Sequence, residues 1–239
     1  MTFETISYEK QGDIALVTLS RPEVVNAFNI QMRDDLHEAM SAVRDDPGVR
    51  GVIIRGEGER GFCAGADLTE FGSAPSQAVA RSVRWERDLS GLILGTPKPI
   101  IAAIHGYCLG SGVEIACLCD VRIASEDAVF GMPETGLALI PAAGGTQTLP
   151  RIVGDGRAME LLLAGERFDA IAALRMGLVG EVVPRGQSLQ RAVGRMTAIL
   201  EAPDAALWAA KRSVEVGADM PLGQGLAMER RLAQRVSLS

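Results

Sequence analysis

Residues 100–125 read IIAAIHGYCLGSGVEIACLCDVRIAS, and the succession of residue types in this stretch decides the fold class. The run 99–104 is apolar almost throughout, the signature of a buried strand, and it leads straight into Gly106. Gly110-Ser111-Gly112 then opens a short helix that carries Glu114, and 121–124 reads as another strand. Strand, glycine turn, helix and strand in that order predict an α/β protein.

Working towards the N-terminus, a glycine-spaced turn runs Gly61-Phe62-Cys63-Ala64-Gly65-Ala66-Asp67, and 77–94 has a helical pattern. Residues 49–55 form a β-branched strand candidate after the stop signal Pro47-Gly48. Before it, Asn29 is an N-cap for a helix in which Met32, Leu36, Ala39, Met40 and Val43 recur at helical spacing. The chain opens with β-rich runs 3–9 and 13–19 around Gln11-Gly12, a hairpin pattern that Arg21-Pro22 ends. Towards the C-terminus, the glycine- and proline-punctuated stretch 130–145 holds Glu134. Beyond Gly145 the pattern is mainly helical, broken at Gly154, Gly165, 177–184, Pro203 and Pro221. The expectation is therefore one α/β core over residues 1–190 and a helical C-terminal region over 191–239, with the last ~100 residues helical.

Composition narrows the function classes. Of 239 residues, 47% are hydrophobic and 23% charged, which suits a packed globular protein rather than a disordered one. A net charge of -6 argues against broad binding to nucleic acid or anionic membrane. No window approaches ~18 uninterrupted apolar residues, and the start MTFETISYEKQGD has neither the basic nor the apolar region of a secretory signal. Cys63, Cys108, Cys117 and Cys119 form no CxxC pair, and only two histidines are present, so a metal site is not expected. Buried reduced thiols in a cytoplasmic protein are the expectation.

Glu114 and Glu134 are the acidic residues of the mid-chain that sit in apolar, glycine-rich company. Desolvation raises a carboxylate's pKa, so a pair facing one cavity can hold a water between a base and an acid. CAGAD and LGSG each put a small-residue turn between an apolar strand and a helix. Such turns aim backbone N–H groups outward, and two converging on one point make an oxyanion hole. Gly110-Ser111-Gly112 is not a dinucleotide fingerprint, because Ile115 stands at the third glycine position. Gly144-Gly145-Thr146 lacks a following Gly-Lys and is no P-loop.

The segments SRPEVVNAFN, GFCAGADL, HGYCLGSGVEIACLCDVRIAS, FGMPETGLALIPAAGGTQTLPRIVG and AALRMGLVGEVV resemble the crotonase superfamily, and more narrowly its enoyl-CoA hydratases. The likeness runs from about residue 14 to about residue 232 in the family's order. It implies a spiral of ββα units with a helical trimerisation region, assembly as a trimer or dimer of trimers, and an acyl-CoA thioester substrate in fatty acid metabolism. No cofactor beyond the substrate's own coenzyme A is implied, and no metal. Position by position, the amides of Ala66 and Ser111 would form the oxyanion hole. Asp67, Leu68 and Thr69 would continue the CoA-binding edge, with Ala64 and the loop at Val24 and Val25 near the adenine. Glu114 and Glu134 match the hydratase pair, with Glu114 cast as the water-activating base and Glu134 as the α-carbon proton donor.

Several positions depart from the family pattern. Ser111 stands where glycine is common, Thr69 where lysine is frequent, and Glu23 and Val24 supply no cation to the first CoA loop. Relatives usually continue past the position of Ser239 with another helix. The stretch 71–85 is expected to set the acyl group accepted.

Other residues read as structural. His105 at a strand end has no Ser–His–Asp grouping around it, His37 reads as a surface residue, and Trp85 and Trp208 read as helix packing. Asp120 and Arg122 read as a charge pair. A crotonase-fold isomerase needs mainly one glutamate, and a hydrolase of a β-hydroxyacyl thioester would share the scaffold. An RNA-binding homologue would favour a lysine-rich first helix, whereas 30–46 holds two arginines against five acidic residues.

Overall fold

Six residues, Ile6–Gln11 (β1), with Ile6 and Tyr8 packed on the core, fold back on Ile14–Leu19 (β2) through Gly12, whose φ of +60° suits glycine. This hairpin opens the computed structural model, which describes residues 3–70 and 87–237. The first helix, Ile30–Asp45 (α1), starts where Asn29 accepts a 2.8 Å bond from the Met32 amide. It buries Met32, Leu36, Ala39, Met40 and Val43, the five positions whose spacing predicts it.

The chain then winds. Gly51–Gly56 (β3) is followed by Gly61–Cys63 (β4), Ile100–Ile104 (β5) by Tyr107–Leu109 (β6), and Val121–Ser125 (β7) by Val129–Gly131 (β8). In each pair the first strand joins a six-stranded sheet and the second a four-stranded one. Neighbours β3, β5 and β7 are parallel, as are β4, β6 and β8, so each turn of the spiral stacks on the last. This is the spiral of ββα units that the resemblance implies. Leu89–Gly95 (α2) leads into β5, and Ser111–Leu118 (α3) links β6 to β7. The part of the expected 77–94 helix before residue 87, like the whole of 71–85 and Trp85, lies outside the described residues.

The central strands of the large sheet, β3 and β5, are apolar on both faces, which is why they show little polar alternation. Val52, Ile54, Ile100, Ala102 and Ile104 point into the main core with α1 and α3. Ile53, Ile101, Ala103 and Ile123 point to the other side, where Ser188–Ile199 (α7) covers them with Ala192 and Met196. Each fully buried isoleucine is worth about 1.5–3 kcal/mol. A side chain at Gly51 would collide with Met196, so the helix sits directly on the sheet. Helix α7 spans the expected 190/191 boundary.

The C-terminal part is less uniformly helical than expected. Gly145–Val153 (α4), Asp155–Ala164 (α5) and Ala170–Arg175 (α6) are helices, but Arg167–Asp169 (β9) completes the small sheet and Glu181–Val183 (β10) the large one. Three-residue strands are too short to show a period of two, and their pairing with β8 and β7 supplies the stabilisation. The last two helices, Asp204–Gly217 (α8) and Leu222–Ser237 (α9), pack on each other and leave Val214 and Leu222 more than 70% exposed. Among the described residues, no helix is long and apolar enough to cross a membrane.

Candidate active site

Two glycine turns meet at the ends of β4 and β6. After β4, Gly65 takes φ +103° and Ala66 lies opposite Phe28 in a parallel bridge. The Phe28 amide donates to Gly65 O and the Asp67 amide to Phe28 O, both at 2.8 Å. Parallel pairing of this kind turns the flanking groups towards Phe28 and leaves the Ala66 N–H directed away from it. After β6, Gly110 adopts φ +47° and donates to Gly131 O at 2.9 Å, and Ser111 begins α3. The first amides of a helix have no acceptor within it and carry its positive dipole end. A methyl group on Gly110 would lie 3.6 Å from the Gly65 Cα, so the turns bearing Ala66 and Ser111 are in contact. At Gly112 a methyl would sit 2.6 Å from Cys63 O, which seats the first turn of α3 on the end of β4.

Glu114, in the first turn of α3, is 2% exposed. Its Oε1 accepts from the Ala143 amide at 2.8 Å and from the Gly145 amide at 2.9 Å. No protein donor among the described residues reaches Oε2. The loop closes this tightly because Gly144 has φ +110° and because Gly145 has no side chain to strike Glu114 Cγ.

Glu134 stands in the 3-10 turn Pro133–Leu137 that follows β8. Its Oε2 is buried without a hydrogen-bond partner among the described residues, and Oε1 faces Gly110. Burial pushes the Glu134 carboxyl above its ordinary value, and the Glu114 charge pushes in the same direction. Two carboxylates of different character thus stand at the N-terminal end of α3, Glu114 on its first turn and Glu134 from the 3-10 turn after β8. One is fixed by paired N–H donors, and the other is short of partners and biased towards its protonated form.

The remaining predicted positions lie in the loop after β2 and around the turn after β4. Val24 is exposed, whereas Val25 is buried, has φ +54°, and accepts the Ala64 amide at 2.9 Å. Leu68 is exposed. Asp67 is occupied: Oδ2 meets Arg21 at 2.9 Å, and Oδ1 accepts from the Thr69 amide at 3.1 Å and its hydroxyl at 2.6 Å. Those partners hold the Asp67 carboxyl below the usual range.

Arg21 also donates to Ala27 O at 2.6 Å. Buried Asn26 donates to Glu57 O and Gly61 O at 3.0 and 2.9 Å, stitching the first loop to the β3–β4 connection. Neither Arg21 nor Asn26 was singled out by the sequence, and neither were the Ala143 and Gly145 amides. The pattern Gly144-Gly145 was their one local signal.

Asp120 and Arg122 do not form the expected pair. Asp120 Oδ2 accepts from the Ile100 amide and from Lys211, at 2.7 and 2.9 Å. Arg122 donates to Leu178 O, and to Ala116 O and Cys119 O at the end of α3. Asp120 precedes β7 and is taken up by an amide and a lysine, whereas Arg122 within β7 reaches carbonyls near the C-terminal end of α3, where a helix leaves its last C=O groups without internal donors. His105 is bonded to Gly58 O at 2.9 Å, and burial lowers its pKa, in keeping with a structural role. All four cysteines are free and buried, with Cys63 and Cys119 pushed up to about 12 and Cys117 to about 11.

Comparison with known proteins follows the same lines. A family model described as enoyl-CoA hydratase/isomerase matches residues 9–237. A Rhizobium meliloti protein named "Probable enoyl-CoA hydratase" is 39% identical over 237 residues, covering 98% of this chain and 90% of its own length. The (E)-benzylidenesuccinyl-CoA hydratase of Thauera aromatica is 38% identical over 223 residues, 92% of this chain and 86% of its own. The crystal structure of an enoyl-CoA hydratase from Bacillus anthracis superposes with a TM-score of 0.93 at 35% identity, covering 99% of this chain and 92% of that one. With nearly its whole length matched in sequence and in fold, the chain belongs to the enoyl-CoA hydratase/isomerase family and has the crotonase fold.

Proposed function

We propose that the protein is an enoyl-CoA hydratase, adding water across the 2,3 double bond of an enoyl-CoA thioester. The observation that carries this reading is the unequal carboxylate pair: Glu114 Oε1 is held by two backbone N–H groups, while Glu134 keeps a buried oxygen unpartnered among the described residues and its pKa is raised by burial. Hydration needs such a difference, because one group must take a proton from water while another gives one to carbon.

In this mechanism Glu114 accepts a proton from the water as its oxygen bonds to the β-carbon. The π electrons move onto the thioester oxygen, where the amides of Ala66 and Ser111 stabilise the enolate. Glu134 then delivers its proton to the α-carbon, and the thioester carbonyl re-forms. Val24, Val25, Ala64, Asp67, Leu68 and Thr69 line the path assigned to the CoA moiety. Since Asp67 is tied to Arg21 and Thr69, its part is to shape that edge. The reading gives no role to a metal or separate cofactor, and assigns the enzyme to acyl-CoA metabolism in the cytoplasm as a trimer or dimer of trimers.

The direct test is a panel of trans-2-enoyl-CoA thioesters, straight-chain, branched and aryl-substituted, followed by loss of the conjugated enone absorbance. At least one should be hydrated to the 3-hydroxyacyl-CoA. Double-bond migration in a 3-enoyl-CoA without hydration of any 2-enoyl-CoA would give the isomerase reading instead.

A further inference from the structure

The loop that grips Glu114 is itself gripped. Three consecutive peptide units run from Ala142 to Gly145. The first contributes the Ala143 N–H and the third the Gly145 N–H, and both donate to Glu114 Oε1. The middle unit exposes the Ala143 carbonyl, which accepts a 2.8 Å hydrogen bond from the hydroxyl of Ser90. Ser90 lies in the first turn of α2, a helix started by Asp88, whose Oδ1 accepts from the Gly91 amide. On the other side, Gly144 O accepts from the Thr148 hydroxyl and amide, which ties the same loop to α4.

Rotation of the middle peptide is the motion that would separate the two N–H groups, because both outer units hinge on it. Gly144, at φ +110° and without a side chain, offers little steric resistance to that rotation. A bond on the Ala143 carbonyl therefore restrains the one degree of freedom on which the clamp depends. We infer that Ser90 is a positioning residue for catalysis: its hydroxyl fixes the Ala143–Gly144 peptide so that the clamp holds Glu114 with Oε2 towards the reacting water. This inference rests on the hydratase reading. Ser90 touches no reacting atom and acts only through the loop.

Such a role differs measurably from ordinary helix or loop stabilisation. Precise orientation of a base affects the chemical step more than binding, so Ser90→Ala should lower kcat about 10-fold with KM within about 2-fold. Ser90→Thr, which keeps the hydroxyl, should recover most of the loss. The decisive measurement is a double-mutant cycle with Glu114→Gln, on a trans-2-enoyl-CoA that the wild type hydrates. If Ser90 works through Glu114, Ser90→Ala should cost less than about 2-fold in residual kcat once Glu114 can no longer take a proton.

Full additivity of the two losses, or a fall in thermal stability with kcat unchanged, would overturn the positioning role while leaving the hydratase reading intact. Failure of the wild type to hydrate any enoyl-CoA would overturn both.

Discussion

Glu134 Oε1 lies so close to Gly110 that a methyl group at that glycine would stand 2.8 Å from the oxygen. The contact links the second carboxylate to the residue that immediately precedes α3, two loops apart in sequence. It also explains the residue type at 110, where φ is +47° and an L side chain would be strained even in open space. Gly110→Ala should therefore displace Glu134 and distort the Ser111 amide together. Hydration should fall by at least about 10-fold and stability by about 1 kcal/mol or more, measured by steady-state kinetics and chemical denaturation. Wild-type kinetics in this variant would show that the Glu134–Gly110 contact has no catalytic consequence.

Glu114→Gln and Glu134→Gln preserve shape and remove proton transfer. Each should reduce kcat for hydration by about 100-fold or more, with smaller effects on KM. Because both serve one addition reaction, the double variant should fall well short of the product of the two losses. Near wild-type hydration by Glu114→Gln would assign that residue a structural role and remove it as the base.

Glu134 also makes stability depend on pH. Its carboxyl is raised from 4.5 in the folded protein, chiefly by burial, so the folded state binds that proton more tightly than the unfolded chain does. The resulting stabilisation is fully present below 4.5 and is lost as pH rises through the folded-state value. Glu134→Gln stays neutral throughout. Its Tm should exceed that of the wild type at neutral pH, and the advantage should shrink as the pH approaches 4.5. A stabilising substitution that removes activity is the behaviour expected of a functional site held in an unfavourable environment. Equal Tm differences at pH 4.5 and pH 7 would be inconsistent with this.

Helices α8 and α9 bury little within the protomer, Ala209 and Leu232 being the buried side chains on them, and Val214 and Leu222 stand in the open. Leu163 and Met159 on α5 are also exposed, at 67% and 58%. Apolar surface of this extent favours association. Light scattering at micromolar concentration should give three or six times the protomer mass of 25.3 kDa. A single mass of 25.3 kDa would remove the trimer from the reading.

Much was settled by local sequence. Helix α1 and its Asn29 cap follow from a hydrophobic period and one side chain three residues from its target, and the opening hairpin from a glycine between two β-rich runs. The α/β class was legible in 100–125 because a strand, a glycine turn and a helix each leave their own residue pattern there. Glu114 and Glu134 stood out because a carboxylate amid glycines and apolar residues is costly. What they meet was decided only by the tertiary structure. Strands β9 and β10 exist because β8 and β7 offer them edges, and Asp120 turns to Lys211, 91 residues away, rather than to Arg122. The amides that hold Glu114 lie 29 and 31 residues along the chain, and the hydroxyl that steadies them lies 53 residues before Ala143. Backbone N–H groups are common to nearly every residue and carry no sequence signature, so their convergence on a carboxylate arises only when the spiral brings distant loops together.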